Sequence, residues 1–235
     1  MVIGANGGIG SALCRHWLND PAVDEVVAVS RSAAGVLTAN PRLRELTTDH
    51  TEESIAAAVS RVLADGGLAR VVIAIGTLHA DDYQPEKSLD ALRMQAMAEV
   101  YRVNCVLPML WVAALGRALR RSPDTRIAVL SARVGSITDN RLGGWYSYRS
   151  SKAALNMGLR SAAIELARRA RGLKLIAYHP GTVDSALSKP FQKNLEPGQL
   201  LTPQYSATRL AELMDEHPPD GQLSYLAWDG QSIPW

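Results

Sequence analysis

The chain alternates short apolar runs, rich in β-branched residues, with longer amphipathic segments. Near-continuous apolar runs suit strands that are covered on both faces, as in a parallel sheet. The runs are MVI (1–3), EVVAVS (25–30), RVVIAIG (70–76), RIAVLS (126–131), LKLIAY (173–178) and LSYLAW (223–228). Segments with helical periodicity lie at 9–19, 51–64, 86–119, 145–170 and 203–215. This alternation predicts an α/β fold, a parallel sheet with helices on both faces and right-handed crossovers.

Two segments depart from the regular alternation. The first run leaves only three residues before Gly4, whereas a strand commonly has about five or six. We therefore expect a shortened first strand. The segment at 189–203, KPFQKNLEPGQLLTP, is the longest one without a clear period. Long loops in compact domains often cover a binding site, so we expect a lid or binding loop there.

Composition argues against several classes of protein. The net charge is +2, with the two signs well mixed and no basic stripe, so we expect no nucleic-acid partner. No run reaches the roughly 18 apolar residues of a membrane span, and we expect no membrane partner. Cys14 and Cys105 lie far apart in apolar segments, which indicates reduced packing residues and a cytoplasmic protein. We also predict no metal site.

A glycine-rich loop, GANGGIG (4–10), follows the first strand and opens the first helix. Such glycines let the backbone turn tightly and approach a pyrophosphate, which binds the amide groups of the helix N-terminus. The alternative is a glycine-rich turn with no ligand. The strand–loop–helix context favours a dinucleotide cofactor. The candidate binding residues are Gly4, Asn6, Gly7, Gly8, Ile9 and Gly10.

The end of the second strand indicates which dinucleotide is bound. It reads AVSRS, with Ser30 and Arg31 and no Asp or Glu between Val26 and Leu43. A carboxylate at this point would bind the ribose hydroxyls of NAD, whereas a guanidinium binds the 2′-phosphate of NADP. We therefore predict that NADP(H) is preferred, with NAD(H) possible. The alternative is an ordinary exposed arginine after a strand.

The segment YSYRSSK (146–152) places Tyr148 and Lys152 four residues apart in the predicted helix 145–170. Residues at this spacing lie on the same helix face, one turn apart. A free tyrosine has a pKa near 10, and a nearby ammonium favours the phenolate. The pair therefore suits proton transfer, although the spacing alone is also common by chance.

Three motifs together resemble the classical short-chain dehydrogenase/reductase family over essentially the whole chain. They are Gly4-x-x-x-Gly8-x-Gly10, Tyr148-x-x-x-Lys152 and HPGTVDS (179–185). The block at 131–157 is similar to the C-factor/sniffer-like carbonyl reductases within that family. The resemblance implies one Rossmann-like domain at 1–235, a doubly wound parallel sheet of about seven strands. It also implies an NADP(H)-dependent oxidoreductase that transfers a hydride between nicotinamide and a carbonyl or secondary alcohol.

The resemblance also assigns roles to individual residues. Tyr148 would be the general acid and base, while Lys152 would lower its pKa and hold the nicotinamide ribose. Asn104, in YRVNCVLPML, would anchor a water of the proton relay; alternatively it only accompanies a bend at Pro108. Asp49, in TTDH, would contact adenine; alternatively it serves the start of the helix at TEES. The residues carried over to the nicotinamide end are Gly76, Pro180, Gly181, Val183 and Ser185.

The chain departs from the family pattern at the catalytic serine. Aligning VLSARVGS places Ser131 at the first serine of the usual pair and Ala132 at the second, which is the usual catalytic one. Either Ser131 or Ser136 supplies the hydroxyl that polarises the carbonyl, or no serine does. Ala132 and the C-factor likeness motivate an alternative function, an NAD(P)-binding signalling protein with little turnover.

The family resemblance extends to assembly. Small residues recur along the predicted helices 86–119 and 145–170, and in the family such faces pack in a dimer. We therefore expect a homodimer or homotetramer that acts on a small carbonyl or alcohol substrate.

Overall fold

A seven-stranded parallel sheet organises the chain in a computed structural model, which describes residues 1–33 and 39–235. The strands are β1 (Val2–Ile3), β2 (Val26–Ser30), β3 (Leu43–Thr47), β4 (Arg70–Ile73), β5 (Thr125–Leu130), β6 (Leu173–His179) and β9 (Leu223–Ala227). Their spatial order is β3-β2-β1-β4-β5-β6-β9, and every neighbouring pair is parallel. A separate pair, β7 (Thr182–Val183) and β8 (Leu200–Leu201), lies outside this sheet.

Helices cover both faces of the sheet. They are α1 (Gly8–Asn19), α2 (Glu52–Leu63), α3 (Met94–Tyr101), α4 (Leu107–Ala118), α5 (Tyr146–Arg169) and α6 (Pro203–Glu216). Side chains of α2, α4 and α5 form one apolar core with the sheet, and side chains of α1 and α6 form the other. The central strands are buried on both sides, which explains their unbroken apolar sequences.

The predicted α/β class, parallel sheet and seven strands are confirmed, with corrections to individual elements. The apolar runs missed β3 because LRELT buries only Leu46, as expected for a strand at the sheet edge. The helix expected at 86–119 begins only at Met94, and 84–88 is not helical. The expected strand 70–76 ends at Ile73, which frees residues 74–77 to line a cavity.

One helical stretch of the described chain, Met94–Ala118, is long and apolar enough by length and composition to cross a membrane. That is weak evidence, since a core helix passes the same test. Here 44% of its most apolar window is buried inside the protein, and Trp111 and Leu115 are fully buried in the core. The stretch therefore serves as a core helix of this fold.

Candidate active site

The candidate site lies where the strand order reverses, between β1 and β4. The chain leaves these two neighbouring strands towards opposite faces of the sheet, which opens a crevice at their carboxyl ends. Two cavities of about 820 and 370 Å³ occupy this crevice. Both are lined by Gly7 of the glycine loop and by residues 74–77 after β4. They form one trough with two ends.

The glycine loop has the shape that a dinucleotide requires. Gly4 has φ +90°, and a Cβ there would lie 2.7 Å from the carbonyl oxygen of Ala74. A Cβ on Gly10 would overlap the carbonyl oxygen of Gly4. Helix α1 begins with no side-chain cap and no acidic residue in its first turn. Its first amide groups are therefore suited to bind a pyrophosphate, and the residues present fit the cofactor.

The tight packing of Gly10 gives a first prediction. Gly10→Ala should lower the free energy of unfolding by roughly 3 kcal/mol, since its methyl group would collide with backbone that cannot move aside. It should also weaken NADPH binding at least tenfold. Denaturant unfolding and fluorescence titration would measure both effects, with Gly67→Ala as the control because a Cβ there meets no atom within 4 Å. Normal cofactor affinity in Gly10→Ala would contradict this role for the loop.

The larger cavity contains the predicted adenosine residues. It is lined by Gly4, Asn6, Arg31 and Asp49. Asn6 donates to the carbonyl and the hydroxyl of Ser32, both at 3.2 Å, and so ties the glycine loop to the end of β2. Asp49 accepts from the amide (3.0 Å) and the hydroxyl (2.9 Å) of Thr51. A hydrogen bond from the Ser54 side chain, together with these two from Thr51, lowers the pKa of Asp49 to about 2. The carboxylate therefore supports the start of α2 as well as lining the cavity.

His50 lines the same cavity and was not predicted from the sequence. Its backbone is left-handed, with φ +63°, and its side chain is buried. The indole N–H of Trp111 donates to His50 Nδ1 at 3.2 Å. Burial and the charge of Arg31 lower the pKa of His50. The ring is thus held neutral with its proton on Nε2.

Tyr148 and Lys152 lie together at the smaller cavity. Helix α5 carries both side chains, and Lys152 Nζ lies 5.9 Å from the centre of the Tyr148 ring. Lys152 Nζ donates to the carbonyl of Leu130 at 2.8 Å. Burial raises the pKa of Tyr148 to about 12 and lowers the pKa of Lys152 to about 8. In this environment the phenol keeps its proton, and the lowering of its pKa by Lys152 that the sequence reasoning expected is not found.

Asn104 lies in a π-helical turn, Arg102–Val106, between α3 and α4. Its side chain binds the backbone of Thr77 twice: Oδ1 accepts from the amide and Nδ2 donates to the carbonyl, each at 2.8 Å. Pro108 has no N–H to donate to the carbonyl of Asn104 four residues earlier. Asn104 lines neither cavity. The Asn104 side chain thus holds Thr77 in the wall of the trough. The Asn104 backbone carbonyl lacks the N–H donor that residue 108 would supply in a regular α-helix.

The two candidate serines are in different places. Ser131 lines the smaller cavity, and its hydroxyl donates to Asn156 Oδ1 at 2.6 Å. Ser136 is buried outside both cavities and accepts from the amide of Asp139 at 3.1 Å. Ala132 is buried, and its carbonyl accepts from the hydroxyl of Tyr225. Of the two, only Ser131 is placed to reach a molecule in the cavity.

Some of the residues expected at the nicotinamide end line the smaller cavity, and others only support the residues that line it. Gly76, Pro180 and Ser185 line the smaller cavity together with Gly8, Ile9 and Gly10. Gly181 has φ +76°, and a Cβ there would lie 2.6 Å from Leu201 and 2.8 Å from Trp228. Val183 is buried in β7, which pairs with β8. Gly181 and Val183 line neither cavity and instead shape the turn that presents Pro180 and Ser185.

An aromatic wall of His79, Phe191 and Trp145, which sequence reasoning missed, lies beside the smaller cavity. His79 lines it, and its ring meets Phe191 at a centroid distance of 5.8 Å. Phe191 contacts Trp145 at 5.1 Å, and Trp145 contacts Tyr148 at 6.2 Å. His79 Nε2 also lies 3.2 Å from the carbonyl of Leu187. The segment expected to be a lid therefore contacts this wall through Phe191, in a 3₁₀ helix at Lys189–Asn194.

Within residues 1–33 and 39–235, no group of three or more His, Cys, Asp or Glu side chains is placed to hold a metal ion. The smaller cavity presents the phenol of Tyr148, the amine of Lys152 and the hydroxyl of Ser131.

Solved structures share this fold over the whole chain. The carbonyl reductase Sniffer of D. melanogaster superposes with a TM-score of 0.84 and 20% identity, covering 100% of this chain and 98% of that one. An NADPH-bound carbonyl reductase from chicken fatty liver gives the same TM-score and coverage at 26% identity. The likeness to Sniffer shows the fold alone, whereas the chicken enzyme also has a sequence similar to that of this chain.

Sequence relatives cover all or part of the chain. The chain is 27% identical over 237 residues to 1-hydroxy-2-glutathionyl-2-methyl-3-butene dehydrogenase of Rhodococcus sp., covering all of this chain and 98% of that protein. It is 31% identical over 139 residues to the C-signal of Myxococcus xanthus, covering 59% of this chain and 78% of that protein. The predicted likeness to the C-factor/sniffer-like group is confirmed by these relatives and structures.

The family model for short chain dehydrogenases matches residues 1–196, which include both ends of the trough and the helix that carries Tyr148 and Lys152. The chain belongs to the short-chain dehydrogenase family and is an oxidoreductase of that family.

Proposed function

We propose that this protein is an NADP(H)-dependent carbonyl reductase in which Tyr148 is the proton donor. The observation that carries the proposal is the position of Tyr148 and Lys152 at the cavity that also contains Gly8, Ile9 and Gly10 of the glycine loop. A dinucleotide bound along the loop would have one end beside the phenol. That is the placement needed for a proton to reach a carbonyl oxygen at this end.

The residues divide the work as follows. When bound, the nicotinamide supplies the hydride in carbonyl reduction and accepts it in alcohol oxidation. Tyr148 donates its phenolic proton to the carbonyl oxygen, and the Lys152 ammonium stabilises the negative charge left on the phenol. Ser131 is the serine placed to donate to the same oxygen once its bond to Asn156 is exchanged.

The lowered pKa of Lys152 predicts the pH dependence of the reaction. Lys152 is an ammonium below pH about 8 and loses its proton as pH rises past that value, whereas Tyr148, at about 12, stays protonated. Carbonyl reduction should therefore fall as pH rises through about 8. Lys152→Arg keeps its charge at these pH values, so its remaining activity should stay level up to pH 9. An identical alkaline fall in both proteins would contradict this assignment.

Cofactor preference is proposed from Arg31. It is exposed, lines the larger cavity and contributes a positive charge beside His50. The chicken carbonyl reductase, 26% identical over the whole chain, has NADPH bound, which supports the same choice here. We propose NADP(H) as the preferred cofactor, with weaker use of NAD(H).

A second candidate function is an NAD(P)-binding signalling protein with little turnover. Ala132 at the usual serine position and the likeness to the C-signal favour it. The dehydrogenase relative covers the whole chain, whereas the C-signal covers 59% of it, so we place the enzyme first. The test follows NADPH absorbance with a panel of aldehydes, ketones and quinones. If wild type consumes NADPH faster than Tyr148→Phe does, the result supports the enzyme. If wild type binds NADPH but does not consume it, the result supports the signalling protein.

We also propose that the protein is a homodimer formed through α4 and α5. Met157 and Ile164 on α5 are 67 and 50% exposed, and Val106, directly before α4, is 47% exposed. Part of the small-residue pattern has another cause: a Cβ on Gly116 would lie 3.0 Å from Leu166, and one on Gly158 would lie 2.9 Å from Met109. Those two glycines serve the contact between α4 and α5 within one chain.

The dimer proposal predicts a mass of twice 25.4 kDa by light scattering. Ile164→Glu combined with Met157→Glu should reduce the mass to that of one chain, because two carboxylates would be buried at the interface. A wild-type mass of 25.4 kDa would rule the dimer out.

We further propose a cytoplasmic location, in keeping with the free thiols of Cys14 and Cys105.

A further inference from the structure

Helix α5, which carries Tyr148 and Lys152, begins in an unusual way. Gly143, Gly144 and Trp145 precede it, with φ values of +64°, +65° and +50°. Three consecutive left-handed residues are uncommon, and Trp145 is strained there because it has a Cβ. The helix also starts with no side-chain cap of its own and no acidic residue in its first turn. Something else must hold its N-terminus in place.

Glu86 provides that support from a distant part of the sequence. It lies in the connection between β4 and α3, and its side chain is buried, with 6% of the residue exposed. Its carboxylate accepts from both the amide, at 3.2 Å, and the hydroxyl of Ser147. Its backbone carbonyl accepts from the amide of Trp145 at 2.6 Å. One residue thus binds amide donors on both sides of the helix start, which would otherwise lack partners.

These bonds act next to the proposed proton donor. Ser147 precedes Tyr148 directly, and the ring of Trp145 contacts both Tyr148 and Phe191. A carboxylate at a helix N-terminus is also favoured by the helix dipole. Arg149 ties down the same turn by donating to the carbonyls of Gly143 (3.1 Å) and Gly144 (3.0 Å). The start of α5, the Tyr148 ring and the aromatic wall are therefore held as one unit, with Glu86 as its buried anchor.

We propose that Glu86 is a positioning residue for Tyr148: it caps α5 from outside and sets where the phenol stands relative to the cavity. Glu86 lines neither cavity, so it acts through Ser147 and Trp145 and touches neither substrate nor cofactor. The expected effect of Glu86 on the reaction rate rests on the proposed function. The expected effect on structure, a fixed first turn of α5, does not depend on that function.

The kinetic test compares Glu86→Ala and Glu86→Gln with wild type. Misplacement of a reacting group by about 1 Å can cost roughly a hundredfold in rate, so Glu86→Ala should lower kcat about a hundredfold. Its KM for NADPH should stay within about twofold of wild type. Glu86→Gln keeps an acceptor for Ser147 and should recover at least tenfold of the lost kcat. Glu53→Gln, an exposed carboxylate in the first turn of α2, is the matched control and should behave as wild type.

The second test needs no turnover. Amide hydrogen exchange at residues 145–149 should become at least tenfold faster in Glu86→Ala, with protection of the β4, β5 and β6 amides unchanged. If wild type binds NADPH but consumes no carbonyl, the proposed function fails while this exchange result still decides the role of Glu86. The proposal is overturned if exchange at 145–149 is unchanged, or if kcat and NADPH affinity fall together in both variants without recovery by glutamine.

Discussion

Replacing Tyr148 with phenylalanine is expected to lower the rate of carbonyl reduction roughly a thousandfold, within the range that general acid catalysis contributes. The substitution removes only the phenolic oxygen, so the ring keeps its edge contact with Trp145. Burial holds the pKa of Tyr148 at about 12, which keeps the proton available throughout the pH range of an assay. No other described hydroxyl of the cavity is placed on α5 beside Lys152.

The matched control for this prediction is Tyr146→Phe, because Tyr146 begins the same helix but lines neither cavity. Steady-state kinetics should show a loss of kcat in Tyr148→Phe alone, while fluorescence titration gives NADPH affinities within about twofold for all three proteins. Retention of more than about a tenth of the wild-type kcat in Tyr148→Phe would assign the proton to a different donor.

Arg31→Asp is expected to shift the ratio of NADPH to NADH efficiency by at least a hundredfold towards NADH. A charge-assisted hydrogen bond contributes about 1.5–3 kcal/mol, and each 1.4 kcal/mol is tenfold. The substitution removes the guanidinium and adds a carboxylate that would repel a 2′-phosphate and accept from ribose hydroxyls. Arg31 lines the larger cavity, whose volume is about 820 Å³.

Values of kcat/KM for both cofactors would measure this shift, with Arg61→Ala, an exposed arginine of α2, as the control. NADPH efficiency should fall while NADH efficiency stays level or rises. Equal losses with both cofactors would show that Arg31 supports the loop structure and does not recognise the phosphate.

The sequence predicted the fold and the trough because both depend on local patterns. Continuous apolar runs mark buried parallel strands, and GANGGIG follows one of them directly. Tyr148 and Lys152 could be paired because helical spacing alone puts them on one face. The strand at Leu43–Thr47 escaped the same reasoning since an edge strand with one buried residue has no such pattern.

The remaining parts of the site depend on contacts between distant segments. Glu86 meets Ser147 across 61 positions, and Trp111 meets His50 across the same separation. No motif in the sequence connects either pair. The choice between Ser131 and Ser136 likewise required the structure. Both serines follow the same strand, and of the two only Ser131 lines the cavity. Burial also raises the pKa of Tyr148, whereas the sequence reasoning expected Lys152 to lower it.

Hydride transfer from NADPH to a carbonyl carbon can be followed directly with an isotopic label. The protein is incubated with NADPH that carries deuterium at nicotinamide C4, on either face, together with an aldehyde or a ketone. Mass spectrometry then determines the label in the alcohol product. We predict that one of the two labelled cofactors transfers a single deuterium and that Tyr148→Phe slows this transfer roughly a thousandfold. An NADPH-saturated wild-type protein that transfers no deuterium to any carbonyl would contradict the account.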